Sequence, residues 1–158
     1  MKPPDLPASS DQAEWLIRFD GCAHPNPGRI GIGVVLCGPD GQCLEISEQA
    51  DHRGCSNEAE LLAVGKALEL ARASGARHLR LQGDSDFAVR HLRGEQHTGV
   101  ARLRALIERT KPLLEHFASV RLEWIPRHRN PDADRLSRAA LGLPDKPALP
   151  PFSRRLRR

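Results

Sequence analysis

Long apolar runs are missing from this chain. None of its stretches approaches the roughly 20 apolar residues that a membrane-spanning helix needs, which argues against an integral membrane protein. The opening residues MKPPDLPASSDQ lack the basic, apolar and small-residue succession of a secretion signal, so a cytoplasmic location is expected. Cysteines stand at 22, 37, 43 and 55, none in C-x-x-C spacing, which argues against a zinc or thioredoxin-type site. Cys37 and Cys43 flank a turn and could face each other; in a reducing compartment they are expected as small, reduced strand residues. Histidines 24, 52, 78, 91, 97 and 116 show no metal-ligand spacing and read as surface or packing residues. No internal repeat is visible.

What is present is an ordinary globular composition. Of 158 residues, 39% are hydrophobic and 28% charged, enough for one domain with a single core. The net charge of +4 is unevenly placed. Residues 144–158 (PDKPALPPFSRRLRR) carry Lys146, Arg154, Arg155, Arg157 and Arg158 against Asp145, so the remainder of the chain balances at zero. A neutral body with a Pro-rich basic tail suggests a polyanionic partner; a solubilising tail is the alternative. Residues 1–13 are expected to be disordered, 14–143 to form the domain, and 144–158 to be a separate tail.

The stretch FDGCAHPNPGRIGIGVVLCGPDGQCLEIS, residues 19–47, organises the rest. Trp15, Ile17 and Phe19 alternate, which puts the Asp20 carboxylate on the opposite face of a strand end. A Pro25-Asn26-Pro27-Gly28 loop follows, then apolar runs at 30–37 and 43–46 joined by a Gly-Pro-Asp-Gly turn. Three strands with a tight hairpin are expected. His52–Asn57 reads as a polar connection. Helical spacing covers 57–73 (Leu61, Val64, Leu68, Ala71), a strand 78–83, and a short helix capped by Ser85. A longer helix carries Val100, Leu103, Ile107, Leu114 and Phe117 on one stripe, which Pro112 is expected to kink or split. A strand at 120–125 and a helix opened by Asn130-Pro131 complete the order β-β-β-α-β-α-α-β-α. That order predicts an α/β fold: three antiparallel strands, then parallel crossovers, with helices on both faces of a mixed sheet.

Acids recur at the ends of these elements. Glu60 lies in the first turn of its helix on the same face as Val64, Ala67 and Ala71, and so points inward. Glu58, about 200° away around the helix, is expected to face solvent. A capping box, Asn57-x-x-Glu60, is the structural alternative. Asp84 ends the fourth strand; if that strand runs parallel to the first, Asp20 and Asp84 emerge together at the C-terminal ends, where α/β sheets build sites. Near the start of the last helix, Asp132 and Asp134 are equally good helix-start acids on physical grounds. Carboxylates gathered without matching bases repel unless cations sit among them, and hard oxygen donors suit Mg²⁺ or Mn²⁺. Two such ions about 3.5–4 Å apart are suited to in-line attack of water on a phosphodiester.

The succession DGxxxxNPGxxGxGVV, SNxAE at a helix start, GDS at a strand end and NPDADRLSRAA after WIP resembles type 1 ribonuclease H, over residues 14–142. The resemblance implies a five-stranded ribonuclease H-like sheet and a monomeric Mg²⁺-dependent endonuclease that cuts the RNA strand of RNA/DNA hybrids, leaving 5′-phosphate ends. It implies Asp20, Glu60, Asp84 and Asp134 as catalytic, metal-holding acids, thereby choosing Glu60 over Glu58 and Asp134 over Asp132. It also implies hybrid contacts from Asn26, Asn57 and the backbone of Gly21, Cys22 and Ala23.

The chain departs from the family in three places. Ser56 precedes Asn57 where many members have two asparagines. Residues 93–102 contain no Trp and no Lys, so the basic protrusion of some members is absent and the compact subtype is indicated. The loop before the last acid is short, Pro126–Asn130, and offers His128 for the family's release histidine, with Arg127 and Arg129 as phosphate contacts. Two other functions stay open. One is a non-catalytic nucleic-acid-binding module on the same fold, the other a different nuclease of the ribonuclease H-like superfamily.

Overall fold

The computed structural model describes residues 12–145; residues 1–11 and 146–158, with most of the expected N-terminal segment and basic tail, lie outside the described residues. The strands are β1 (Glu14–His24), β2 (Gly28–Cys37), β3 (Cys43–Gly54), β4 (His78–Gly83) and β5 (Ser119–Trp124). The helices are α1 (Ser56–Ala73), α2 (Asp86–Leu92), α3 (Ala101–Glu115) and α4 (Pro131–Ala139), with a 3₁₀ turn at Arg127–Arg129. No helix among the described residues is long and apolar enough to cross a membrane.

The sheet has five strands in the order β3-β2-β1-β4-β5. β1 runs antiparallel to β2, and β2 to β3, whereas β4 runs parallel to β1 and β5 parallel to β4. This is the mixed sheet expected from the element order. β1 lies at its centre because its apolar alternation serves one face and its acid the other. Ile17 and Phe19 are fully buried with Leu79 and Leu81 of β4 and Leu61, Val64 and Leu68 of α1. Each such side chain contributes about 1.5–3 kcal/mol by leaving water.

Two glycines let helices lie close to the sheet. On the Phe19 face, a Cβ on Gly21 would sit 2.2 Å from the Ala59 carbonyl oxygen, so only glycine admits the start of α1 there. On the opposite face, Gly33 is the register partner of Asp20, and a Cβ on it would sit 2.2 Å from the Ala133 carbonyl oxygen. α4 therefore packs directly over Asp20.

Three local expectations are corrected. β3 runs to Gly54 instead of ending near Ile46, because its polar half continues the ladder with Gly28–Gly31 across a register shift. α3 is one helix through Pro112 and is not split there; the proline lacks the amide that would bond to the Glu108 carbonyl, a single missing bond that the rest of the helix tolerates. Its buried stripe is Leu103, Leu106, Ile107 and Thr110, while Val100 precedes the helix and is 47% exposed. Finally, Cys37 and Cys43 are joined as a disulfide, with Cα atoms 4.1 Å apart, where reduced thiols were expected. The hairpin register makes them direct partners.

Candidate active site

Phe19 and Gly83 are the last partners in the parallel β1–β4 register, so Asp84, just past the end of β4, lies beside Asp20. Asp20 is not at a strand end as expected: β1 continues to His24, paired there with β2 alone. α1 starts against Gly21 and delivers Glu60 to the same place, where the Gly21 amide donates to Glu60 Oε1 at 2.8 Å. Each of Asp20, Glu60 and Asp84 offers a carboxylate oxygen, and these oxygens lie within 4.8 Å of one another. Like charges at that separation repel by about 3 kcal/mol per pair at an effective dielectric constant of about 20.

Glu60 carries the consequence. Loss of solvation raises its pKa well above the usual carboxylate range, and the charges of Asp20 and Asp84 raise it further. The Gly21 amide and the Arg127 guanidinium pull the other way without prevailing. All-oxygen donors from three separate elements, crowded until one resists ionisation, fit a divalent cation of the Mg²⁺ or Mn²⁺ kind.

The fourth acid stands apart. Asp134 lies in the first turn of α4, half-buried, and outside the group of three. Asp132 is exposed and approaches Arg135 at 3.8 Å, so it turns away along the helix surface. The capping-box alternative for Glu60 is not realised: the residue before α1 is Cys55, with no side-chain cap, and Glu60 bonds to Gly21 on another element.

Glu58 corrects a second expectation. It is buried, not solvated: its carboxylate takes a hydrogen bond from Arg102 Nε at 3.1 Å and lies 3.4 Å from His52 Nε2. The cause is tertiary. β3 extends far enough to bring His52 and Gly54 alongside α1, and α3 supplies Arg102.

The remaining candidates surround the acids unevenly. Asn26 Oδ1 accepts from the Ser56 amide at 3.0 Å, tying the Pro25–Gly28 loop to the start of α1. Cys22, Ala23 and Ser56 are half-buried, and Asn57 is exposed. Arg127, His128 and Arg129 form the exposed 3₁₀ turn between β5 and α4, and the Arg127 charge acts on Glu60.

Two residues of the site did not stand out in the sequence. Asn130 is fully buried, and its Nδ2 donates to the Phe19 carbonyl at 2.9 Å and to Asp84 Oδ2 at 3.0 Å. Ser137, also fully buried, donates from Oγ to Asp20 Oδ2 at 2.7 Å, and the same hydroxyl lies 2.9 Å from the Asp134 carbonyl. The one available signal was spacing: 130, 134 and 137 share a helical face.

The sequence and fold resemble those of known proteins. Residues 18–140 match the family described as reverse transcriptase-like. Ribonuclease HI of Halobacterium salinarum is 34% identical over 123 residues, 78% of this chain and 62% of that protein. A bifunctional protein of Mycobacterium tuberculosis is 32% identical over 80% of this chain and 35% of its own length. The chain thus spans less than two thirds of the curated relatives it matches. The crystal structure of the Halobacterium RNase H1 superposes with a TM-score of 0.77 at 33% identity, covering 82% of this chain and 98% of that one. LC11-RNase H1, solved in complex with an RNA/DNA hybrid, superposes with a TM-score of 0.73 at 28% identity over 80% of this chain and 95% of its own. The chain belongs to the reverse transcriptase-like family and has the fold of type 1 ribonuclease H.

Proposed function

We propose that this protein is an endonuclease that hydrolyses the RNA strand of RNA/DNA hybrids. The observation that carries the proposal is the trio Asp20 of β1, Glu60 of α1 and Asp84 just past β4, gathered in a chain whose fold matches a ribonuclease solved on such a hybrid.

Asp20, Glu60 and Asp84 would hold Mg²⁺, with Mn²⁺ as a substitute, and Asp134 would complete the set from α4. Held by these acids, a pair of such ions would supply Lewis acidity for in-line attack of water on the phosphodiester, with 5′-phosphate and 3′-hydroxyl ends as the products. The protein's own share is placement. Asn26, Ser56, Asn57 and the backbone at Gly21, Cys22 and Ala23 offer short neutral donors and acceptors, suited to the 2′-hydroxyls exposed in a wide, shallow minor groove. Arg127 and Arg129 would contact phosphates, and His128 between them would assist product release. The working unit is the monomeric domain of residues 14–143, and the basic tail from 144 adds phosphate contacts that carry no sugar information.

One experiment separates the competing functions. Labelled RNA/DNA hybrid, duplex RNA and duplex DNA are each incubated with the protein, with and without Mg²⁺. Mg²⁺-dependent scission of only the RNA strand of the hybrid is the expected result. Scission of duplex DNA would instead indicate another nuclease of the superfamily, and binding without scission a non-catalytic module.

A further inference from the structure

α4 carries a buried polar stripe that its packing does not explain. Asn130 stands at its start, Asp134 follows four residues later, and Ser137 three after that, which places all three on one face. Asn130 and Ser137 are each 0% exposed. Their immediate neighbours Ala133 and Leu136 already fill the apolar contact with the sheet. Two polar side chains sealed from water at such positions need a reason.

Their partners supply it. The Asn130 amide reaches both the last carbonyl before Asp20, that of Phe19, and the Asp84 carboxylate. Ser137 reaches the Asp20 carboxylate. One helix therefore grips both Asp20 and Asp84 from the side opposite Glu60. The Asn130 amide oxygen has no hydrogen-bond partner among the described residues, so the side chain is held there by its two donor contacts at the expense of its acceptor. Both donors are neutral. An arginine or lysine in their place would fix the acids equally well but would neutralise the charge that a divalent cation needs. A hydroxyl and an amide orient a carboxylate and leave it anionic.

We infer that Asn130 and Ser137 are positioning residues, which fix the Asp84 and Asp20 carboxylates in the orientation that admits a divalent cation. The inference rests on the metal-holding role proposed above for the acids. Residues that orient metal-holding groups typically change metal affinity or activity by about 10–100-fold when removed.

The test uses the full-length protein and two readouts. The first is Mg²⁺ binding to the free protein, followed calorimetrically without nucleic acid; the second is the kcat and KM for hybrid cleavage. Ser137→Ala should weaken Mg²⁺ binding by about tenfold and lower kcat, with KM for hybrid and the unfolding temperature little changed. Ser137→Cys, close in volume with a weaker donor, should fall between wild type and Ala. Asn130→Ala should weaken Mg²⁺ binding at least as much. If Ser137→Ala does not fold, the Cys variant alone decides the matter, because a volume-filling role predicts wild-type affinity for it. Wild-type Mg²⁺ affinity in Ser137→Ala, or loss of kcat only in step with unfolding, overturns the inference. Failure of the function itself is distinguishable: the wild-type protein would then bind Mg²⁺ at these acids and yet leave the hybrid intact.

Discussion

The Gly21 amide donates to Glu60 Oε1 at 2.8 Å, and that bond ties β1 to the N-terminal half of α1. With the Arg127 charge, it favours ionisation of a carboxyl that desolvation, Asp20 and Asp84 all push toward its neutral form. The second group of effects is the stronger. Glu60 therefore sits where the fold, left without a cation, works against ionisation.

A carboxyl whose pKa is raised on folding keeps its proton longer in the folded chain than in the unfolded one. Between the ordinary carboxylate range and the raised value the folded state holds more protons, so stability falls as pH rises through that window. The metal-free protein should accordingly unfold at a higher temperature at the bottom of that window than at pH 7. Glu60→Gln should remove this dependence and stabilise the metal-free protein at neutral pH while abolishing cleavage. Thermal unfolding in a chelator, as a function of pH for both proteins, is the check; identical profiles would refute it.

Asp84→Asn should eliminate cleavage and leave hybrid affinity nearly intact. The substitution removes one anionic oxygen from the trio, whereas Asn26, Ser56 and Asn57 lie on other elements and keep their positions. Cleavage in saturating Mg²⁺, with binding measured separately by fluorescence anisotropy, tests both halves. Retention of more than a few per cent of activity would contradict the assignment.

What could be read from the sequence, and what could not, follows from the range of the interactions. The face of Asp20 and its nearness to Asp84 were legible because alternation fixes the face and β4 runs parallel beside β1; the continuation of β1 past Asp20 to His24 was not, because those residues pair only with β2. The inward aim of Glu60 was legible from the helical period alone. The setting of Glu58 was not, since Arg102 is 44 residues away and reaches it only after α3 has docked. Ser137 looked like any small residue in a helix; its role depends on Gly33 admitting α4 to the sheet over Asp20. The facing of Cys37 and Cys43 was readable from the hairpin, whereas their oxidation was not, because it depends on surroundings as well as register.

Glu58→Gln should leave kcat unchanged but weaken the junction between α1, β3 and α3. Arg102 would lose its ion pair and His52 the carboxylate beside its Nε2, keeping Asp51 at Nδ1. Arg102 is largely exposed, so solvent screens the pair, and the loss should be about 1 kcal/mol. That corresponds to roughly 2–4 °C in unfolding temperature for a domain of this size. A kcat that falls like that of Glu60→Gln would mean that the two acids of α1 share the chemistry.

The basic tail gives a prediction that depends on charge alone. Residues 1–143 carry no net charge and lack Trp and Lys in the 93–102 segment, so the hold on a polyanion must draw on other cations. Lys146, Arg154, Arg155, Arg157 and Arg158 are the densest supply in the chain. Truncation after Asp145 removes all five and keeps Pro144, whose carbonyl accepts from Arg138 Nε at 2.8 Å. Each phosphate that the shortened protein no longer neutralises keeps its counterion, which flattens the log–log salt dependence of binding by about 0.9. The truncated protein should therefore bind hybrid more weakly at low salt, with a slope flatter by roughly two to four units. Affinity for duplex DNA should fall in parallel, because phosphate contacts do not distinguish ribose from deoxyribose. The cleavage rate at saturating hybrid should hold, since every acid of the site remains. An unchanged salt slope would remove the tail from the binding surface, and a collapse of the saturated rate would make it part of the domain's working structure.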